Sequence, residues 1–280
     1  MVNRLICFFL GMVLSGCVEQ KILKTDKLEI IKSICERVDN QTLVIFDMDN
    51  VLTESKERAF QADLYDDIKD IVAEYRISVK KLPSYEQEKL KCAQWLVPVQ
   101  LVDEHMPELV QQLQSRNIKT LMLTLNPHGK LGSIDSIEEL CISRLKSMRI
   151  DFDKSWNMPM FKLHDANEKL LGVFYKGGIF TLSSKELALN AFLNQVPSYK
   201  FTKIIFIDDN RENLQKIRDF AKVRNWDYVG IEYSKVFTKK RQKANINQIK
   251  HQFDDLLRTG TWHSPEINSG LPIKLSIFAL

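Results

Sequence analysis

Carboxylates that directly follow a buried strand can bind a metal ion or attack an electrophile, and this 280-residue sequence contains such a pair. Asp47 and Asp49 come after the continuous apolar run 42–46. Because side chains alternate along an extended segment, both carboxylates are expected on the same side, before a turn at Asn50. Taken alone, such a pair more often begins a solvated loop than forms a site.

Two further apolar runs end in groups of related chemistry. The run 120–124 ends in the hydroxyl of Thr124, and the run 203–207 is followed by Asp208 and Asp209. Each feature alone has an ordinary explanation, as a strand-end hydroxyl or as a helix cap. Together they predict four carboxylates and one hydroxyl at neighbouring strand ends. The repulsion among the carboxylates is costly unless a divalent cation lies between them.

The hydrophobic pattern predicts the elements that position these groups. The runs 42–46, 120–124, 203–207 and 228–231 are typical of strands buried on both faces. Amphipathic helical stripes precede the second run and follow the third. Strands that alternate with helices predict an α/β fold with a doubly wound parallel sheet, whose ligand site lies beyond the carboxyl ends of the strands.

Two segments between the predicted strands do not fit a simple helical crossover. The segment from about 55 to 106 is rich in helix-forming residues and predicts a helical cap insertion over the site. The segment from about 151 to 181 predicts a small β-hairpin insertion. The core then covers 41–260, after a tether and helix at 17–40 and before a tail at 261–280.

The amino terminus has the pattern of a secretion signal. Arg4 precedes the apolar run 5–14, which is too short to span a bilayer comfortably. The run leads into Leu-Ser-Gly-Cys, ending at Cys17, which resembles the lipobox of bacterial lipoproteins. The resemblance implies a signal peptide at 1–16, lipidation of Cys17 and a lipid anchor in the cell envelope, on the outer membrane facing the periplasm. An uncleaved hydrophobic stub or a chance Cys is the alternative.

Composition limits the possible partners. The net charge is +4, or +3 once Arg4 is removed with the signal peptide, and this is too small to predict nucleic-acid binding. After cleavage Cys35, Cys92 and Cys141 would remain, without metal-site spacing and with at most one disulfide among them. Their expected role is that of buried apolar residues. Nothing in the sequence predicts the oligomeric state.

The order of the motifs resembles the haloacid dehalogenase superfamily of phosphatases and phosphotransferases, over about 42–235. That superfamily has an Asp-x-Asp first, then a Ser or Thr at a strand end, and last a pair of acids at a strand end. Its Lys, upstream of the acids and at a helix start, fits Lys185 best, because two Ser residues before it can cap the helix; Lys176 is the competitor. Asn50 stands where Gly is usual, and Asn tolerates the left-handed conformation. The likeness is to poorly characterised secreted or lipoprotein members from host-associated Gram-negative bacteria.

The resemblance implies a Mg²⁺-dependent phosphatase that hydrolyses a phosphate ester of unknown identity. Asp47 would form an aspartyl-phosphate, and Asp49 would protonate the leaving oxygen and then activate water. Mg²⁺ would bind Asp47, the backbone carbonyl of Asp49, and Asp208; Asp209 would be a second ligand or would orient the lysine. The groups that would hold the substrate are Thr124, Asn126 and Lys185.

Other functional classes share parts of this pattern. A catalytically silent protein of the same fold could present its insertions to a partner such as a host protein, although the complete set of acids argues against it. A phosphoacceptor receiver domain carries its paired acids on the first strand and its acceptor later, which is the reverse of the order here. A carbon–halogen hydrolase does not need the second acid, Asp49.

Overall fold

The computed structural model describes residues 20–264. The predicted signal peptide, Cys17 and most of the predicted tail lie outside that range, so the lipid anchor stays a prediction. Among residues 20–264, no helix is both long and apolar enough to cross a membrane.

Strands and helices alternate along most of the described chain. The strands are β1 (Gln20–Thr25), β2 (Thr42–Phe46), β3 (Thr53–Ser55), β4 (Val99–Leu101), β5 (Lys119–Thr124), β6 (Phe161–His164), β7 (Leu170–Tyr175), β8 (Gly178–Thr181), β9 (Lys203–Asp208) and β10 (Asp227–Tyr233). The helices are α1 (Leu28–Cys35), α2 (Tyr65–Lys80), α3 (Ser84–Trp95), α4 (Met106–Ser115), α5 (Ile137–Ser147), α6 (Lys185–Gln195), α7 (Arg211–Val223), α8 (Lys235–Thr238) and α9 (Ile246–Thr259).

Eight strands form the central sheet, in the order β1-β10-β9-β2-β5-β8-β7-β6. Neighbours from β1 to β8 in this order are parallel, whereas the β8–β7 and β7–β6 pairs are antiparallel. The chain runs from β2 to β5 and then to the edge strand β6, returns through β7 to β8 beside β5, and continues on the other side of β2 as β9. Ligands of open α/β sheets bind where the strand order reverses in this way. The predicted α/β fold with a mostly parallel sheet is confirmed.

Alternate residues of the central strands face two opposite layers of helices. In β2, Val44 and Phe46 pack with α1, α4 and α5, whereas Leu43 and Ile45 pack with α6 and α7. Every residue of β2 is buried. The strand is apolar throughout because neither of its faces meets water, and each such burial contributes roughly 1.5–3 kcal/mol.

Two segments join the sheet in ways that differ from the sequence prediction. Residues 20–25, predicted as tether, form β1 and pair in parallel with β10. The edge strand β1 is mostly polar, and so it lacks the continuous apolar pattern of a buried strand. The hairpin predicted within 151–181 forms as β6 and β7, but β8 joins it to β5, so it extends the central sheet. Four residues are too few for β8 to show a periodic pattern.

The predicted helical insertion contains α2 and α3, and it shares a hydrophobic cluster with α9 near the carboxyl end of the chain. Ile68 and Tyr75 of α2 pack with Phe253 and Leu256 of α9. The rings of Tyr75 and Phe253 are 5.0 Å apart. The antiparallel pair β3–β4 leads into and out of the insertion. The insertion is therefore stabilised by a helix that is distant in sequence.

A buried carboxylate ties the insertion to the chain after α8. Glu54 of β3 is 5% exposed. Its two oxygens lie 2.6 Å from Lys239 Nζ and 2.5 Å from Arg241 Nη2. Arg241 also lies 3.3 Å from Asp63, so the charges form a network rather than a single pair.

We expect Glu54→Gln to lower the free energy of unfolding by about 2 kcal/mol, because it leaves two partly buried cations without their carboxylate. In a chain of this length that loss lowers the unfolding temperature by about 4–8 °C. Thermal unfolding measures it, with Glu36→Gln, an exposed Glu after α1, as the matched control. Equal unfolding temperatures for the two variants would show that the network contributes nothing.

Three cysteines lie within the described chain. Cys35, Cys92 and Cys141 are buried, and none of them forms a disulfide. Burial raises the pKa of the Cys35 and Cys141 thiols to about 12. Their predicted role as apolar packing residues is confirmed.

Candidate active site

The turn after β2 presents Asp47 and Asp49 at the carboxyl edge of the sheet. Asn50 adopts the left-handed conformation that the sequence predicts, with φ 63°. The amide of Thr53 donates to the carbonyl of Met48 at 2.9 Å and closes the turn. The amide of Met48 donates to Asp47 Oδ1 at 2.8 Å, which holds the carboxylate in place.

Lys185 lies between two carboxylates from different strands. Its Nζ is 2.8 Å from Asp47 Oδ1 and 2.7 Å from Asp208 Oδ2, and all three side chains are buried. Helix α6 begins at Lys185, and the hydroxyl of Ser184 accepts a hydrogen bond from the amide of Leu187 as its cap. The start of α6 thus brings the ammonium group to the ends of β2 and β9.

The competing lysine lies elsewhere. Lys176 Nζ is 2.9 Å from a carboxylate oxygen of Glu139, and the Lys176 side chain is 35% exposed. It occupies the turn between β7 and β8, where its backbone is left-handed. The structure therefore brings Lys185, and not Lys176, into contact with Asp47.

Asparagine side chains fix the two acids at the end of β9. Asp208 is fully buried and accepts hydrogen bonds from the amide of Asn210 at 2.7 Å and from Asn213 Nδ2 at 3.1 and 3.2 Å. Asp209 Oδ2 accepts from Asn50 Nδ2 at 2.9 Å, which links the first and last motifs. Asn213 was not predicted as a site residue, although its position in the first turn of α7 is compatible with contact to a preceding strand end.

Carboxylate oxygens of Asp47, Asp208 and Asp209 lie within 4.8 Å of one another. Three acids at this distance repel each other, and the single charge of Lys185 offsets only part of that repulsion. A compact donor set made only of carboxylate oxygens fits a hard divalent cation such as Mg²⁺. The carboxylate of Asp49 is not in the cluster; its predicted contribution to the metal is its backbone carbonyl.

Asn126 lies beside Asp49. Its Nδ2 donates to Asp49 Oδ2 at 2.9 Å, and Asp49 lines a cleft. Desolvation by the surrounding protein raises the pKa of Asp49, whereas the hydrogen bond from Asn126 opposes the rise. Because the carboxyl is also exposed to water, the rise is smaller than full burial would cause.

Thr124 ends β5 at the same edge of the sheet and is buried. The pairing of β5 with β2 sets Met122 beside Phe46, so Thr124 lies level with the start of the turn after β2. Within residues 20–264, its hydroxyl has no hydrogen-bond partner. The hydroxyl is therefore available to a ligand.

Burial and mutual charge perturb the clustered groups. Burial raises the pKa of Asp47 well above its ordinary value, with Asp208 adding to the rise and Lys185 opposing it. Burial alone would lower the pKa of Lys185, but the carboxylates of Asp47 and Asp208 outweigh it and the pKa is raised. Burial and the nearby Asp208 raise the pKa of Asp209 to about 6. Such shifts are frequent at functional sites.

The raised pKa of Asp209 makes its ionisation unfavourable in the folded, metal-free protein. The folded state holds the proton of Asp209 more tightly than the unfolded chain does. The contribution of Asp209 to the free energy of unfolding therefore falls as the pH rises from about 4 to about 6, and it is constant above that. We expect Asp209→Asn in EDTA to raise the unfolding temperature at pH 7 by about 2–4 °C, allowing for partial exposure, and to have no effect near pH 4. An equal effect at both pH values would contradict this prediction.

A cleft of about 830 Å³ opens between the turn after β2 and the helical insertion. Asp49 and Asn50 are among its lining residues, and the insertion with α8 and α9 supplies most of the rest. Arg144 of α5 also lines it and donates through Nη2 to the carbonyls of Trp95 at 2.7 Å and Val97 at 3.2 Å. The sequence pattern does not predict a role for Arg144, because only the fold brings it near Asp49.

Comparison with known proteins gives a family but no assigned activity. A model of a family of proteins of unknown function, DUF2608, matches residues 24–265. An uncharacterised protein of Rickettsia prowazekii (strain Madrid E) is 22% identical over 244 residues, which cover 83% of this chain and 84% of the relative. No solved structure matches the chain.

Proposed function

The chain belongs to the DUF2608 family, and we propose that it is a Mg²⁺-dependent phosphatase of the haloacid dehalogenase type, acting on a phosphate monoester. The observation that carries the proposal is the buried contact of Lys185 with both Asp47 and Asp208. A buried ammonium group among several acids is weak evidence for stability, and such clusters are frequent where chemistry requires them.

Asp47 is the nucleophile in this proposal. Its Oδ1 already receives the amide of Met48 and the ammonium of Lys185, each at 2.8 Å, so Oδ2 is the oxygen that attacks phosphorus. As the new P–O bond forms, the bond to the leaving oxygen breaks, which yields an aspartyl-phosphate and a free alcohol. Water then attacks the same phosphorus atom and releases phosphate and the Asp47 carboxylate.

Asp49 is the general acid and base. It gives a proton to the leaving oxygen in the first half of the reaction and takes one from water in the second. The raised pKa of Asp49 supports the first role, because a carboxyl that holds its proton more tightly than usual is better able to act as an acid. Asn126, bonded to one oxygen of Asp49, orients the other towards the substrate.

The remaining groups offset the negative charge of the phosphoryl oxygens. Mg²⁺ held by Asp47, Asp208 and Asp209 would supply a divalent positive charge at this point. Lys185 adds a second positive charge, and the unpartnered hydroxyl of Thr124 donates to a phosphoryl oxygen. With the predicted lipid anchor, the reaction takes place outside the cytoplasm, where hydrolysis is expected rather than transfer from ATP.

The direct test is release of phosphate from p-nitrophenyl phosphate by the purified protein. We expect activity with Mg²⁺, its loss in EDTA and its return when Mg²⁺ is added in excess. A protein that stays inert with Mg²⁺ across a broad panel of phosphate esters would contradict the proposal and favour a catalytically silent binding module.

A further inference from the structure

We infer that the leaving group of the substrate is large and mainly apolar, contains an aromatic ring, and is held in the cleft beneath the helical insertion. The inference rests on the proposed function. Asp49, the residue proposed to protonate the leaving oxygen, lines the cleft, whereas the clustered acids Asp47, Asp208 and Asp209 do not. Whatever is bonded to that oxygen therefore enters the cleft.

The size of the cleft disfavours a small alcohol as its natural occupant. Its volume of about 830 Å³ falls within the roughly 300–1,000 Å³ of pockets that enclose whole organic ligands. A leaving group of two or three carbons would leave most of the apolar wall in contact with water. Displacing that water is the main source of affinity in such a pocket.

Two aromatic side chains of the wall are half exposed and unpartnered. Tyr65, at the start of α2, is 47% exposed, and Phe237 of α8 is 51% exposed. Among the described residues, neither ring packs against another aromatic ring or a cation. One comes from the insertion and the other from the chain after β10, and both line the same cleft. A flat apolar group bound in the cleft would cover exposed surface of both rings.

The neighbouring aromatic residues are already packed and form a fixed wall. Phe253 lies 5.8 Å from Phe60 and 5.0 Å from Tyr75, measured between ring centroids. Phe60, Tyr75 and Phe253 therefore stabilise the insertion, whereas Tyr65 and Phe237 are exposed and can contact a ligand. An unpartnered apolar surface inside a concave site is a mark of ligand binding.

The charges of the cleft do not select a charged leaving group. Arg76, Lys91 and Arg144 line it together with the acids Asp49, Glu54 and Asp66, so the formal charges balance. The apolar wall and its exposed rings therefore decide the occupant.

The test compares phosphate monoesters of three primary alcohols, whose leaving oxygens have similar acidity. The substrates are ethyl phosphate, hexyl phosphate and 2-(2-naphthyl)ethyl phosphate. We expect kcat/KM to rise in this order, with the naphthyl ester at least ~30-fold above the ethyl ester. Equal values would overturn the inference and leave the proposed function standing, and a hexyl ester equal to the naphthyl ester would overturn its aromatic part.

Failure of the proposed function is distinguishable from failure of the inference. If neither these esters nor the broad panel that includes p-nitrophenyl phosphate is hydrolysed, the proposed function is wrong. Calorimetric titration with the naphthyl and ethyl esters then measures binding in the cleft independently of catalysis. Tighter binding of the naphthyl ester supports the assigned occupant. Equal or undetectable binding of both esters overturns it.

Substitutions of the two exposed rings test whether they cause the preference for the naphthyl ester. We expect Phe237→Ala and Tyr65→Ala each to lower the ratio of kcat/KM for the naphthyl ester to that for the ethyl ester by about tenfold. Tyr85→Ala is the matched control, since Tyr85 belongs to the same insertion, is 69% exposed and does not line the cleft. An unchanged ratio in Phe237→Ala and Tyr65→Ala would overturn the assignment of the two rings.

Discussion

Asp47→Asn should lower the rate of phosphate release by at least about 10⁴-fold while the protein stays folded. The amide cannot attack phosphorus, but its oxygen still accepts the hydrogen bond that the amide of Met48 donates to Asp47. Burial raises the pKa of Asp47, which means that its ionised form is unfavourable in the folded, metal-free protein. Removing that charge should therefore leave the unfolding temperature in EDTA unchanged or higher.

The matched control for Asp47→Asn is Asp254→Asn, which removes an exposed carboxylate of α9. It should leave kcat unchanged. A rate for Asp47→Asn within tenfold of the control, measured before any deamidation, would mean that another group attacks the phosphate. Loss of rate together with loss of the folded state would instead make Asp47 a structural acid.

Lys185→Met is expected to lower both activity and stability. The change leaves Asp47 and Asp208 buried without the ammonium group that contacts both of them. Breaking a buried pair in this way costs about 3–5 kcal/mol, and it lowers the unfolding temperature by several degrees. The rate should fall by roughly 10³-fold, since a charge that offsets the transferring phosphoryl group is lost. Excess Mg²⁺ should restore part of the stability but not the rate.

Lys176→Met is the matched control, and it also decides between the two candidate lysines. Its ion pair with Glu139 is partly exposed, so its loss should cost at most about 1 kcal/mol and leave the rate unchanged. If Lys176→Met abolished the activity and Lys185→Met did not, the assignment of the phosphate-binding lysine would be wrong. Thermal unfolding and initial rates on the same samples measure both effects.

Strands buried on both faces were the part of the fold most open to prediction. The predicted run 42–46 coincides with β2, and the runs at 120–124 and 203–207 differ from β5 and β9 by a single residue. Such strands must be apolar at every position, which is a local property of the chain. Because the acids directly follow these strands, their meeting at one edge of the sheet could be predicted as well.

Contacts between segments distant in sequence could not be predicted. Helix α9 packs against the insertion through an apolar face that contacts α2. The sequence of either helix predicts an apolar face but not the helix that it packs against. The ion pairs of Glu54 with two cations that follow α8 could not be predicted either, nor could the position of Arg144 in the cleft. The edge strand β1 was hidden by its polar residues. Local pattern predicts burial, whereas the choice of neighbour depends on the whole fold.

The most direct measurement is acid quenching of the purified protein during turnover of a ³²P-labelled phosphate ester in the presence of Mg²⁺. We predict label on the denatured protein in the peptide that contains Asp47, its release by hydroxylamine as expected for an acyl phosphate, and its absence in Asp47→Asn. Phosphate release at the same rate by wild type and Asp47→Asn, with no label on either protein, would contradict Asp47 as the nucleophile.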